Sequence, residues 1–203
     1  MESSAHKFKD LAFTARRDAH LQAALGKLGS GFSLKRKEAA RRLPEFEGLR
    51  DQAKTIKDHV LENLDFYLER FEERVIEGGG ELHWCGDADA AQKKILDICR
   101  KANAKTVTKS KSMIGEEIAI NEFLEKNNIE PIETDLGEYI IQLRGETPSH
   151  IIAPAVHLNM GQVEDTFREK HTTLEPGRKL DEPQRLLEEA RSQLRDKFLN
   201  ADV

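Results

Sequence analysis

The sequence predicts an α/β fold: a mostly parallel sheet flanked by helices, preceded by a long helical N-terminal extension. Three observations carry that expectation. Roughly the first eighty residues show only helical periodicity, with apolar side chains three or four positions apart. From Glu81 onward, short β-branched or apolar runs alternate with helical patterns, the order of a doubly wound sheet. Right-handed crossovers bring the strand-to-helix turns to one edge of such a sheet, and here those turns are polar. The expected division is a helical extension over 1–77 and an α/β region over 78–203.

Composition narrows the class. A chain of 203 residues, 38% hydrophobic and 34% charged, can bury one core while exposing several helices. Its net charge of −5 and pI near 5.9 give no general attraction to nucleic acid. No stretch approaches the ~18 uninterrupted apolar residues of a membrane span. The opening residues, from Met1 to Lys7, lack the apolar segment of a secretory signal. A cytoplasmic location is the default expectation, with Cys85 and Cys99 as free thiols.

The elements follow in order. Phe8, Leu11, Ala12, Ala15, Ala19 and Leu21 lie near helical spacing, and Gly26, Gly29 and Gly31 punctuate the end. A basic segment, Leu34 to Leu43, comes next, and Pro44 opens a new element. Leu49, Ala53, Ile56, Val60, Leu64, Tyr67, Phe71 and Val75 then predict one amphipathic helix of roughly eight turns, from Phe46 to Ile76. Gly78, Gly79 and Gly80 read as its C-cap, because a phosphate loop follows a strand and precedes a helix. Next come a strand Glu81–Cys85, a helix Ala88–Ala102 capped by Asp87, and a strand Thr106–Thr108. A helix Glu116–Lys126, a strand Ile129–Glu133 and a short apolar piece Ile140–Leu143 follow. A fourth strand, Ser149–Ala153, leads to a helix Gln162–His171 and a last helix Glu182–Leu199, with Leu186, Leu187, Ala190, Leu194 and Phe198 on one face.

Chemistry is expected where strands turn into helices. In open parallel sheets, ligands bind beyond the carboxyl ends of the strands. Lys109, Ser110, Lys111 and Ser112 could hold an anion there through ammonium charge, hydroxyls and helix amides, or form a solvated loop capped by Ser112. Glu133, Thr134, Asp135 and Glu138 fill the second turn. Their carboxylates suit acid–base work or pairing with Lys109 and Lys111, while Asp135 also suits an N-cap. His157, in the third turn, adds an imidazole that titrates near neutrality. Glu133, Asp135 and His157 are the catalytic candidates. No metal site is expected: His83 and Cys85 share a predicted strand face, but nothing completes a four-ligand set, and two isolated cysteines cannot ligate an iron–sulfur cluster.

The same turns resemble a known family. The string Thr108-Lys-Ser-Lys-Ser-Met113, followed by Glu116, Glu117, Ile118 and Asn121, is similar to the LUD domain of the lactate-utilisation B proteins. So are Glu133-Thr-Asp-Leu-Gly-Glu-Tyr-Ile140, Pro148-Ser-His-Ile151, Pro154-Ala-Val-His157 and Lys57-Asp-His-Val-Leu-Glu-Asn-Leu-Asp-Phe-Tyr67. The resemblance implies a NagB/RpiA/CoA-transferase-like fold and a role in oxidising L-lactate to pyruvate, as one subunit of an iron–sulfur complex. Its partners would be the other lactate-utilisation subunits. The resemblance supplies the site only as motifs, and the residues expected from them to bind an anionic small molecule are Lys109, Ser110, Lys111, Ser112, Glu116, Glu117, Asn121, Thr134, Asp135 and Glu138. A second reading is a ligand-binding or assembly module; a third, suggested by fold analogy alone, is a nucleotide-using enzyme or a CoA-transferase-like one, the latter with Glu133 as nucleophile.

Members of this family continue beyond the point matched by Val203, into the rest of the domain and a ferredoxin-like module rich in cysteine. The expectation is therefore a truncated form, with no cofactor in this chain and the iron–sulfur clusters in the missing region. A sheet without its later strands would expose an edge, so oligomerisation or reliance on the N-terminal helices is expected. Gly115 stands where a hydroxyl residue is expected before Glu116, which leaves Ser112 to cap the helix.

Overall fold

The structure, a computed structural model, describes residues 5–149 and 152–203. It divides into two compact units, one of Met1–Gly26 with Gly86–Val203 and one of Lys27–Cys85.

The N-terminal helices are α1 (Phe8–Ala15) and α2 (Ala19–Leu28). Asp18 Oδ1 separates them by accepting from the amides of His20 (2.9 Å) and Leu21 (3.0 Å), an N-cap for α2. Gly29 and Gly31 do not end the helical run. They lie in a π-helical turn, Gly29–Ser33, that leads directly into α3 (Leu34–Arg41).

The long helix expected from Phe46 to Ile76 is two helices, α4 (Phe46–Glu62) and α5 (Leu64–Glu77). Asn63 breaks it with φ −126° and ψ 37°, and its Nδ2 donates to the His59 carbonyl at 2.8 Å. A short amide side chain competes with the backbone ladder for its hydrogen bonds, and here the side chain wins. No residue of α3, α4 or α5 is buried. The apolar spacing dictates helix without dictating burial. The C-cap at Gly78–Gly80 forms as expected: Gly79 has φ +80°, and the Gly80 amide donates to Val75 O at 2.8 Å. Glu81–Cys85 is irregular rather than a strand, so His83 and Cys85 share no strand face.

The second stretch, Gly86–Val203, holds the α/β part. Asp87 caps α6 (Ala88–Lys101) by accepting from the Ala90 amide at 2.8 Å. Strand β1 (Thr106–Lys109) is followed by α7 (Met113–Glu117), α8 (Ile120–Lys126) and β2 (Glu130–Glu133). The strands pair in parallel, from Thr106 opposite Glu130 to Lys109 opposite Glu133. One helix was expected between them. Ala119, in the left-handed conformation at φ 51°, divides it into α7 and α8. Leu96 and Cys99 of α6 pack with Ile120, Leu124 and Ile129 to form one core. Burial raises the pKa of the Cys99 thiol.

Beyond β2 come α9 (Leu136–Arg144), α10 (Met160–Lys170) and α11 (Pro183–Asn200). The apolar piece Ile140–Leu143 belongs to α9. Tyr139, Ile140, Phe167, Leu180, Leu186, Ala190 and Leu194 form the second core between these helices. The centre of the expected fourth strand, His150 and Ile151, lies outside the described residues; Ser149, Ile152 and Ala153 are not in a strand. The outer edge of β1 is occupied by the chain's last residues. Thr108 N donates to Val203 O at 2.8 Å, and Val203 N donates to Thr106 O at 3.3 Å, the pattern of a parallel bridge.

The result is the expected α/β class: helices flanking a small parallel sheet, two-stranded among the described residues. Among those residues, no helix is long and apolar enough to cross a membrane.

Candidate functional site at the strand ends

Parallel register fixes the site. Because Lys109 lies opposite Glu133, the two polar turns leave the sheet side by side. Thr134 joins them: its amide and its Oγ1 both donate to Lys109 O at 2.9 Å. Lys109 Nζ forms an ion pair with Glu133 Oε1 and lies 3.3 Å from Glu116 Oε1 on α7. Asn121 Nδ2 on α8 donates to the same Glu133 oxygen at 2.8 Å. Glu133 is only 2% exposed, so one carboxylate oxygen is fixed by a cation and an amide inside the fold.

Gln142 holds the other side of β2. Its Nε2 donates to Pro131 O at 2.7 Å, and its Oε1 accepts from Glu133 N at 3.0 Å. These two backbone groups face away from β1, so one amide side chain stands in for a neighbouring strand. Pro131 suits this edge because it has no N–H to leave unpaired.

Lys111 occupies the left-handed region at φ 38°, and its Nζ lies 3.1 Å from Asp135 Oδ1 and 3.8 Å from Glu138 Oε1. Asp135 does both things expected of it. Its Oδ1 caps α9, accepting from Gly137 N at 3.1 Å and Glu138 N at 3.3 Å, while it pairs with Lys111. Asp135→Ala is expected to lower the unfolding free energy by about 1–2 kcal/mol. Asp135→Asn keeps the cap and should cost less than about 1 kcal/mol. Urea unfolding of both variants separates cap from charge.

Ser112 caps α7 by accepting from Gly115 N at 3.0 Å. A Cβ at Gly115 would stand 3.2 Å from Ser112 Oγ, so glycine there leaves room for that cap. Burial raises the pKa of Glu138 first, and Glu133 and Asp135 add to it against the opposing Lys111 and Lys109. Ser110 and Glu117 are exposed and stand outside this network.

His157 is elsewhere. Its Nδ1 pairs with Ser149 Oγ at 2.8 Å and its Nε2 with Glu146 Oε2 at 3.0 Å, so both ring nitrogens are engaged. The Arg144 hydrogen bond first, and His157 after it, hold Glu146 below the usual carboxylate range. Glu146 links this corner to the main site, because it lines a cleft of about 340 Å³ together with Glu116, Asn121, Glu133 and Glu138. Sequence reasoning missed Gln142 and Glu146. Gln142 had one signal, a lone amide within the apolar run Ile140–Leu143; Glu146 had none.

The class this geometry defines is an α/β protein with a βαβ unit and a polar cluster at its strand ends. Comparison with known proteins supplies the family. The LUD domain model matches residues 68–203, and the chain belongs to the LUD domain family. Lactate utilization protein B of Bacillus licheniformis is 40% identical over 204 residues, which take in 100% of this chain and 42% of that relative. The protein of the same name from Bacillus subtilis is 45% identical over 174 residues, 83% of this chain and 35% of the relative. The chain spans less than half the length of the curated relatives it matches. No solved structure matches it.

Proposed function

We propose that this chain belongs to a subunit of a cytoplasmic system that oxidises L-lactate to pyruvate, alongside other lactate-utilisation subunits. In this reading its strand-end loop binds an anionic small molecule. Iron–sulfur centres outside these residues would accept the electrons, as two isolated cysteines, Cys85 and Cys99, are too few to ligate a cluster. The observation that carries the binding role is the convergence of Lys109 and Lys111 with Glu133, Asp135 and Glu138 at the carboxyl ends of two parallel strands.

The two lysines have different parts. Lys109, with a side chain 14% exposed, is locked between Glu133 and Glu116 and fixes the loop. Lys111, 36% exposed, is the one an incoming carboxylate can reach, because its contact with Glu138 is long at 3.8 Å. A ligand carboxylate would take that place and gain a charge-assisted hydrogen bond. Calorimetric titration with L-lactate and with pyruvate tests this. Lys111→Met is expected to weaken binding roughly ten- to hundredfold, the worth of a hydrogen bond to a charged group. Equal affinity in Lys111→Met and the parent chain would remove the loop from the site.

A further inference from the structure

The helices that open the chain carry a charge the rest of it does not share. Ten lysines and arginines stand between Lys7 and Arg42 against three acidic residues, Asp10, Asp18 and Glu38, although the whole chain has a net charge of −5. No residue of α1, α2 or α3 is buried, and Phe8, Phe13 and Phe32 are 69%, 60% and 65% exposed. Leu11, Leu25 and Leu34 are exposed with them. Lone exposed apolar residues are ordinary on a protein surface. In α1 they are not alone: Phe8, Leu11, Ala12 and Ala15 have the i, i+3, i+4, i+7 spacing of one helix face. The cations are unmatched as well. Among the described residues, none of Lys9, Arg16, Lys35, Lys37, Arg41 and Arg42 has an ion-pair partner, whereas Arg50, Lys54 and Arg74 of α4 and α5 each pair with a carboxylate.

We propose that this opening stretch binds the surface of a bilayer rich in acidic phospholipid, with the Phe8 face of α1 entering the headgroup region and the α3 cations pairing with lipid phosphates. A short amphipathic helix lies in the membrane interface rather than crossing it, and no helix among the described residues is long and apolar enough to cross. At about 3.6 residues per turn, Lys9 and Arg16 leave α1 roughly 80–100° from Phe8, at the margin of its apolar face. From that margin, long cationic side chains reach headgroup phosphates while their stems stay with apolar groups. The charge comes from α3, which holds Lys35, Arg36, Lys37 and Arg41 in 8 residues. An apolar anchor and a basic cluster are the two signals that together hold a protein on a membrane. A bilayer sets no fixed distance between them, so each engages by itself.

Charge and chemistry favour this occupant over two others. A second copy offering the same stretch would bring cations against cations. A nucleic acid would answer the cations and could stack bases on the phenylalanines, but Leu11, Leu25 and Leu34 give a base no ring to stack on. An acidic bilayer answers both features, with phosphate for the cations and acyl chain for the apolar side chains. The proposal stands apart from the strand-end loop, which the Lys111→Met titration tests separately.

Flotation of the chain with vesicles of equal phosphatidylglycerol and phosphatidylcholine is the direct test. Binding is expected at low salt, with little to pure phosphatidylcholine vesicles and a steep fall as salt screens the charges. Neutralising the cluster with Lys35→Gln, Arg36→Gln and Lys37→Gln together should weaken binding on the order of a hundredfold. Phe8→Ser with Leu11→Ser should weaken it roughly tenfold or more at unchanged charge. Circular dichroism checks that each variant folds, and none of the positions chosen is buried. Should the triple variant fail to fold, the pair Phe8→Ser and Leu11→Ser decides. Absence of flotation with the acidic vesicles overturns the proposal, as does equal flotation with both kinds. Unchanged binding in the folded double variant overturns it too, and so does capture of single-stranded RNA by a chain that leaves the vesicles unbound.

Discussion

Replacing Glu189 with alanine is expected to lower the unfolding free energy by about 3–5 kcal/mol. Glu189 is 1% exposed on α11 and accepts three hydrogen bonds. They come from His171 Nδ1 at 2.9 Å, Arg178 Nη1 at 2.8 Å and Gln193 Nε2 at 2.9 Å. The network continues inward, since His171 Nε2 lies 3.1 Å from the Tyr139 hydroxyl on α9. With its Nδ1–H donated to the carboxylate, a neutral His171 accepts the Tyr139 proton at Nε2 and satisfies both groups. The imidazole also stacks on Phe167, with centroids 4.5 Å apart. One carboxylate thereby ties α9, α10 and α11 around the second core. Its loss orphans the His171 N–H and leaves Arg178 without its counter-charge. Glu189→Gln retains the shape and should lose less, about 1–3 kcal/mol. Urea unfolding followed by circular dichroism reads both, and an Ala variant with the parent midpoint would show that the network adds no stability.

The same network sets a pH dependence. Burial, outweighing the opposing pull of Glu189, lowers the His171 pKa below its ordinary 6.5, and burial pushes that of Tyr139 up to about 12. For a base with a depressed folded pKa, stability is complete above the unfolded value. It is lost as pH falls below 6.5, because the unfolded chain takes the proton first.

Much of this site was legible because its decisive interactions are local. Asp87, Ser112 and Asp135 cap helices with their own chain neighbours, and residue type at the right offset announces each of them. Parallel pairing of β1 with β2 follows from strand–helix–strand order, and it alone brings Lys109 to Glu133. The start of α10 was available too. Asn159 and Gln162 form a capping box, which moves the helix start from the expected Gln162 back to Met160. What stayed hidden depends on distant partners. Apolar spacing runs unbroken through Asn63 and Ala119, yet the chain breaks at one and turns left-handed at the other. Glu81–Cys85 has strand composition but no pairing partner among the described residues. Gln142 gains meaning only once the outer edge of β2 lies beside α9, and the His171–Glu189 bond spans 18 residues that no local rule connects.

Lys109→Met should also cost about 3–5 kcal/mol at neutral pH, for a reason opposite to the alanine change at Glu189. There a carboxylate leaves and its donors remain; here the cation leaves and the buried carboxylate stays. Glu133, with a side chain 3% exposed, would keep only Asn121 Nδ2 as a hydrogen-bond donor, and one neutral amide cannot offset a desolvated charge. The deficit lies in that charge, whereas a simple packing defect would persist without it. Adding Glu133→Gln to Lys109→Met should recover most of the loss by the same logic, since the double variant holds no uncompensated ion. A double variant no more stable than Lys109→Met would mean that the methylene stem of Lys109, rather than its charge, supports the strand ends. Recovery would establish Lys109 as the fixed counter-ion of Glu133, which leaves Lys111 as the lysine of this pair free to exchange partners with a ligand.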